Sequence, residues 1–278
     1  MDRRTVLKFG ATLPLAAIPL VNAKAFSYEG AEQNPSVMKI QRLDWAGIKI
    51  EVGKTTLFID ATSYPNQNDM KLSAGTDYKH AVITHHHSDH YDPAALKTIF
   101  DSNSLLVCHS KVLPWLDIRD LRTQTVKLHE PIAFSRWTGE ITAIPVPAVD
   151  GFGHPQVSWV IYGGGKKIIH CGDTLWHGYW HDIAAYGPFD MAFMPINGAR
   201  MNQGRVYDTG IPAVLTPHQA VIASKLLNAK VVCPIHYGRA SENYFETPDP
   251  EGKFLRSAQE NKCKTVVLKI GSWVQWEQ

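Results

Sequence analysis

Residues 83–92 read ITHHHSDHYD, with four histidines and two aspartates in ten positions. Few folds can carry such a run, because its neighbours fix how the chain must enter and leave it. Upstream, "HAVI" (His80 to Ile83) is apolar and β-branched, as a buried strand should be. Downstream, Pro93 opens "PAALKTIF", a helix with Pro in its first turn. The cluster therefore occupies a strand-to-helix loop, where rigid scaffolds present chemistry.

Within it, His85, His87, Asp89 and His90 form H-x-H-x-D-H. Side chains at i and i+2 of an extended segment share a face, so His85 and His87 can grip one ion. Asp89 and His90 follow where the chain turns and can reach a second. Neutral imidazole and carboxylate ligands suit zinc, and also manganese or iron. His86, between ligands, is expected to face away. A catalytic serine is not indicated, because the G-x-S-x-G elbow is absent.

The rest of the chain reads as many short strands with interspersed helices. "KIQRLDW", "IKIEV" and "TTLFIDA" alternate, with Gly53-Lys54 as a hairpin turn between the last two. A strand over 80–84, a helix over 93–100, the strand "LLVCH" and a helical piece "SKVLPWL" follow. "TVKL", "IAFSRW" and "ITAIPVPA" are β-rich, and "QVSWVIY" and "KKIIH" form a hairpin about Gly163 to Gly165. "DMAFMPING" ends a buried strand in a polar loop. Thr216, Pro217 and Gln219 spell a capping box, before a helix, the strand "VVCPIH", a helical segment near 249–261 and the strand "TVVLKI". Two sheets with outer helices in one layered domain are expected over residues 26–278.

Residues 1–25 differ in kind. A basic start, a short apolar middle interrupted by Pro14 and Pro19, and small residues at Ala23 and Ala25 make an export signal. "RRTVLK" resembles the twin-arginine type, with Asp2 and Val6 departing from its usual residues. The apolar stretch is too short for a stable membrane span, and a periplasmic or otherwise exported location is expected. Arg3, Arg4, Lys8 and Lys24 against Asp2 sum to +3, so the formal +2 of the whole chain leaves residues 26–278 at about −1. That balance removes the compositional case for a nucleic-acid partner. The partner expected is a small-molecule or lipid-like substrate, and nothing in the sequence sets an oligomeric state. Cys108, Cys171 and Cys233 lie in strand-like runs and are expected as buried thiols.

"HHHSDH" after an apolar strand, "HCGDT" (His170 to Thr174) and "PIHYG" (Pro234 to Gly238) resemble, in that order, the motifs of the metallo-β-lactamase superfamily. The segments "YDPAAL", "VPA", "GDTLW" and "MPING" are most similar to the branch containing ascorbate-phosphate lactonases and N-acylphosphatidylethanolamine phospholipase D. The resemblance implies an α/β fold, a four-layer αβ/βα sandwich with a two-metal site at the sheet edges. It implies that His85 and His87 hold the first metal, that Asp89, His90 and His236 hold the second, and that Asp173 bridges them. Asp89 and Asp173 then carry the catalytic roles.

One departure matters. The family pattern expects a further His soon after "PVPA", where this chain has Asp150, with His154 four residues later. Register favours Asp150 and chemistry favours His154. We assign Asp150 as the ligand, with Gly151 and Gly153 letting the loop swing away, and His154 as a residue facing substrate. Trp176, His177, Asn197 and Arg200 are further candidates for substrate contact. The function implied is metal-dependent hydrolysis of a phosphodiester, lactone or other ester. The alternatives are a non-catalytic metal-binding protein of the same fold and a redox di-iron enzyme. The latter is disfavoured because position 87 is His rather than Glu.

Overall fold

The computed structural model describes residues 36–62, 77–134, 140–201, 210–239 and 244–276. The export-signal reading of residues 1–25 lies outside them. Strands β1 (Lys39–Arg42), β2 (Ile48–Val52), β3 (Thr55–Ile59), β4 (Tyr78–Val82), β5 (Leu105–His109) and β6 (Thr123–Val126) form one sheet in that order. β1 to β3 are antiparallel neighbours, and β3 to β6 run parallel. The second sheet has the order β13-β11-β10-β9-β8-β7. Its strands are β7 (Ile132–Phe134), β8 (Ile141–Pro147), β9 (Val157–Gly163), β10 (Lys166–His170), β11 (Met191–Pro195) and β13 (Val232–Ile235). Two short strands, β12 (Arg200–Met201) and β14 (Tyr244–Phe245), pair separately.

Period-two alternation sorts the side chains into layers. Leu57, Ile59, Val82 and Val107 of the first sheet meet Trp159, Ile161, Ile168 and Phe193 of the second in one buried core. Their sequence neighbours point outward. Phe58, Ala81, Ile83, Leu106 and Cys108 pack under helix α1 (Pro93–Ile99) through Leu96 and Ile99. Val160, Ile169, Ala192 and Met194 pack under three helices, α2 (Trp180–Ala184), α3 (Pro217–Leu226) and α4 (Pro250–Glu260). The result is the expected four-layer sandwich. The capping box of α3 is present, with Thr216 Oγ1 accepting from the Gln219 N–H and the Gln219 side chain accepting from the Thr216 N–H.

Three elements differ from expectation. "SKVLPWL" forms only a 3₁₀ turn over Leu113–Trp115. "IAFSRW" is a strand over Ile132–Phe134, and 135–137 lie outside the described residues. "TVVLKI" is not a ladder strand. Thr265 bridges Val232, the Val266 N–H donates to the Val232 carbonyl, and regular pairing stops there. Its alternation reflects Val266 and Leu268 packing on the inter-sheet core. Burial of one side of an extended chain gives a strand-like pattern without a strand partner. All four cysteines are free thiols, three buried and Cys263 half-buried.

Strand direction positions the site. β8 and β10 are each antiparallel to β9, so they run the same way, and β11 and β13 run parallel to β10. The C-terminal ends of β8, β10, β11 and β13 therefore share one edge of the second sheet.

Candidate metal centre

The loop after β4 is clamped before it carries any ligand. The Trp159 indole N–H donates to the Ile83 carbonyl at 2.8 Å, and the Val157 N–H to the Thr84 carbonyl at 3.1 Å. Farther along, the N–H groups of His90 and Tyr91 both donate to the His87 carbonyl, closing the turn that presents Asp89 and His90. His85 and His87 converge as their i, i+2 spacing requires, with His85 Nε2 and His87 Nδ1 2.9 Å apart.

The second sheet supplies the other side. Asp150 follows β8, Asp173 follows β10 and His236 follows β13. One possible ligand atom from each of His85, His87 and Asp150 lies within 4.8 Å of the others, and the same holds for Asp89, His90 and His236. Between these triads stands Asp173. Its Oδ2 is 3.5 Å from His85 Nε2, 3.9 Å from His90 Nε2 and 4.0 Å from His236 Nε2. Among the described residues, four atoms of these groups are buried without a hydrogen-bond partner, namely His90 Nε2, His236 Nε2, Asp150 Oδ2 and Asp173 Oδ1. Buried polar atoms are ordinarily satisfied, so unsatisfied nitrogens and carboxylate oxygens converging on one cleft fit a cation.

Positioning residues surround these groups. Asp60, just after β3, accepts from the Thr84 N–H at 2.8 Å, from Thr84 Oγ1 at 2.7 Å and from His90 Nδ1 at 2.8 Å. Thr84 Oγ1 in turn lies 3.0 Å from His85 Nδ1. One buried carboxylate thus orients two imidazoles, leaving each Nε2 pointing into the cleft. The Trp45 indole N–H donates to Asp89 Oδ2 at 2.9 Å, and its ring packs on His236 at 4.2 Å. Trp45, Asp60 and His236 all hold a left-handed φ, of 54°, 48° and 56°. Such backbone costs about 1–3 kcal/mol per residue and persists only where the surroundings enforce it. Asp60 and Trp45 were not singled out from sequence. The available signal was an Asp closing the fully buried strand "TTLFI".

Electrostatics follow from this crowding. Burial alone would lower the His90 pKa, but Asp89, Asp60 and Asp173 outweigh it and hold the imidazole up at about 10. Burial would raise the Asp173 carboxyl, yet His85, His90 and His236 together keep it below the usual carboxylate range. Asp150 goes the other way, pushed up first by burial and then by the charge of Asp173. An anionic, histidine-rich cleft of this kind has a ready replacement for its protons in divalent cations.

The departure at position 150 resolves into two neighbours rather than one. Asp150 Oδ2 is 3.6 Å from His87 Nε2, and His154 Nδ1 is 2.8 Å from that same nitrogen. Gly153 has φ +80° in open space and supplies the turn. Gly151 does not. A Cβ there would meet Ala213 at 2.4 Å, so its glycine serves close packing. His86 does not turn away either, since its ring lies 4.8 Å from those of His87 and His154.

The other candidates scatter. Asn197 is fully buried, with its side-chain amide 2.9 Å from His236 Nδ1, so it acts on the site through that ring. His177 stacks on Trp180 at 4.1 Å beside α2, and the partly exposed Trp176 lies 6.1 Å from the same Trp180. Arg200 sits on β12, paired with Phe245.

A family model described as "Beta-lactamase superfamily domain" matches residues 58–237, which spans every residue of both triads and Asp173. The chain is 29% identical over 217 residues to a metal-dependent hydrolase of Geobacillus, covering 72% of this chain and 85% of that one. Its fold is similar to that of a metallo hydrolase from Ignicoccus hospitalis, with TM-score 0.66 at 21% identity over 87% of this chain and 99% of the other. It is also similar to a metallo-beta-lactamase fold protein of Bacillus subtilis, with TM-score 0.61 at 12% identity over 86% and 99%. Fold, motif order and the converging ligand atoms agree, and the chain belongs to the metallo-β-lactamase superfamily.

Proposed function

We propose that this chain is a metal-dependent hydrolase whose centre holds two divalent cations and cleaves a phosphodiester, lactone or other ester. The observation that carries the reading is Asp173, whose Oδ2 lies within 4.0 Å of ligand nitrogens from both triads. A carboxylate so placed neutralises charge on two ions at once. His85, His87 and Asp150 would hold one cation, and Asp89, His90 and His236 the other, with zinc as the leading candidate and manganese or iron compatible with the oxygen-rich set. Bound divalent cations supply Lewis acidity, bringing the pKa of water toward roughly 7 and polarising the bond to be cleaved.

The chain's own residues do the rest. Asp89 keeps Oδ2 on the Trp45 indole while facing His90 and His236, which fixes the carboxylate that orients the attacking water. Asp60 and Thr84 hold the imidazoles of His85 and His90 in one tautomer each. The name of the Geobacillus relative supports hydrolysis and leaves the substrate open.

Turnover of bis(p-nitrophenyl) phosphate, a lactone and a simple aryl ester, with and without chelator, tests the reading. Chelator-sensitive hydrolysis of at least one is expected. Tight binding of cations with no turnover of any would favour the non-catalytic alternative. Asp173→Ala should bind fewer than two equivalents of metal, and two retained equivalents would remove the bridge.

The reading extends to export through the twin-arginine pattern of residues 1–25. Arg3→Lys with Arg4→Lys should hold the precursor inside the cell, and normal export of that variant would end the twin-arginine part.

A further inference from the structure

Four rings, those of Trp115, His86, His154 and Phe152, form a connected series with His87 of the first triad. Trp115 lies 4.9 Å from His86 and 5.1 Å from His154, and those two imidazoles are 4.8 Å apart. His87 is 5.1 Å from His154 and 5.9 Å from Phe152. The series runs from solvent, where Trp115 and Phe152 are 52% and 46% exposed, to a metal-ligand candidate.

Neither exposed ring hangs on loose chain. Trp115 closes a 3₁₀ turn, its N–H donating to the carbonyl of the fully buried Val112 at 3.0 Å. The Phe152 N–H donates to Asp150 Oδ1 at 2.5 Å, while Oδ2 of that carboxylate faces His87. Scattered single apolar residues at a surface need no explanation, but two aromatics fixed around one polar cleft do. These five side chains present ring faces and edges. In the same segment as Trp115, the Arg119 guanidinium is engaged by both oxygens of Asp117.

We infer that this wall is the binding surface for a planar aromatic group of the substrate, carried beside the scissile bond on the His87 side. The inference rests on the hydrolase reading for the word substrate, and on the rings alone for the contact. A flat π-system gains from offset and edge-to-face contacts with such a series, whereas a saturated group of equal size gains only from burial. Trp115 carries most of the discrimination, because it is the largest ring and the most exposed. Phe152 couples recognition to the centre through Asp150.

A binding measurement tests the wall without relying on turnover. 2-Naphthamide and the saturated cyclohexanecarboxamide are titrated into metal-loaded and metal-free protein by calorimetry, for the parent chain, Trp115→Ala and Phe152→Ala. Both side chains are substantially exposed, so folding should survive, as circular dichroism would verify. The naphthamide Kd should weaken about tenfold in Trp115→Ala and less in Phe152→Ala, with little change for the saturated amide. In turnover, the preference for phenyl acetate over methyl acetate should fall about tenfold in Trp115→Ala. An unchanged naphthamide Kd, or equal losses for both amides, would overturn the wall while leaving hydrolysis intact. Conversely, ring-dependent naphthamide binding without chelator-sensitive turnover supports the wall and sinks the hydrolase reading.

Discussion

The two halves of the metal centre are built in opposite ways. The loop after β4 delivers His85, His87, Asp89 and His90 in six consecutive positions. The second sheet delivers Asp150, Asp173 and His236 singly, each beyond the end of a different strand. In the first half, geometry is local. Extended spacing aims two imidazoles together, and one turn adds the next pair. In the second half, geometry is topological, because three residues far apart in sequence meet only when their strands run in one direction to one edge. A local half should tolerate little change within the loop, and a topological half should be most sensitive to whatever sets the distance between strand ends.

The largest effect is expected from the local half. His87→Ala should lower metal affinity well beyond the ~10–100-fold typical of a supporting residue, and remove most activity while the fold survives. Metal titration with circular dichroism checks both, and full occupancy in that variant would break the assignment. The topological half is sharpened by comparing Asp150→Ala with His154→Ala. The first should cost first-site affinity on the scale of a lost ligand, and the second roughly tenfold or less. A reversed order in the titrations would make His154 the ligand and Asp150 its support.

A smaller effect probes the join between the halves. Gly172 has φ +64°, and a Cβ there would lie 3.0 Å from Thr84 of the opposite loop. Gly172→Ala combines the left-handed penalty with that contact, for about 1–3 kcal/mol of lost stability and a fall of about tenfold in metal affinity. A urea midpoint and a metal titration on one preparation would show whether the two losses travel together.

The smallest effect lies in the middle of β4, ahead of the ligand-bearing loop, which makes it a control. His80 is buried beside Phe134, its Nδ1 has no partner among the described residues, and burial pushes its pKa down to about 4. The unfolded chain takes up that proton near pH 6.5 and the folded chain only near pH 4. The stability contribution is therefore complete above pH 6.5 and is lost as pH falls through that window. His80→Leu should flatten the loss, read as a smaller difference in urea midpoint between pH 7.5 and pH 5, with metal affinity unchanged.

The same contrast explains what the sequence could disclose. H-x-H-x-D-H announces itself because its ligands are spaced by backbone geometry alone, and the capping box at Thr216 does so for the same reason. Asp173 and His236 are ordinary residues in "GD" and "IHY" until strand order brings them together, so a family resemblance was needed to select them. Asp60 and Trp45 carried no local pattern, since their roles lie in contacts with Thr84, His90 and Asp89, distant in sequence. "TVVLKI" misled because one-sided burial imitates a ladder. His86 misled because alternation puts it opposite His85 and His87 along the chain, whereas the loop bends and returns it to the cleft mouth.

The turn from Asp44 to Gly47 has a consequence for how the molecule is made. Its Trp45 carbonyl accepts from the His236 N–H at 3.2 Å, the Ala46 carbonyl lies 2.7 Å from His170 Nε2, and the Trp45 indole holds Asp89. A hairpin near the start of the chain is thus fastened to a residue 191 positions later. During synthesis, everything up to that residue must have emerged before the fastening can close. Closing so long a loop is entropically costly, and a captured cation supplies free energy at the moment when that cost falls due. Loading of the ion and seating of the hairpin strengthen each other by the same factor. Amide exchange at Trp45 and Ala46 should accordingly slow when cation is added.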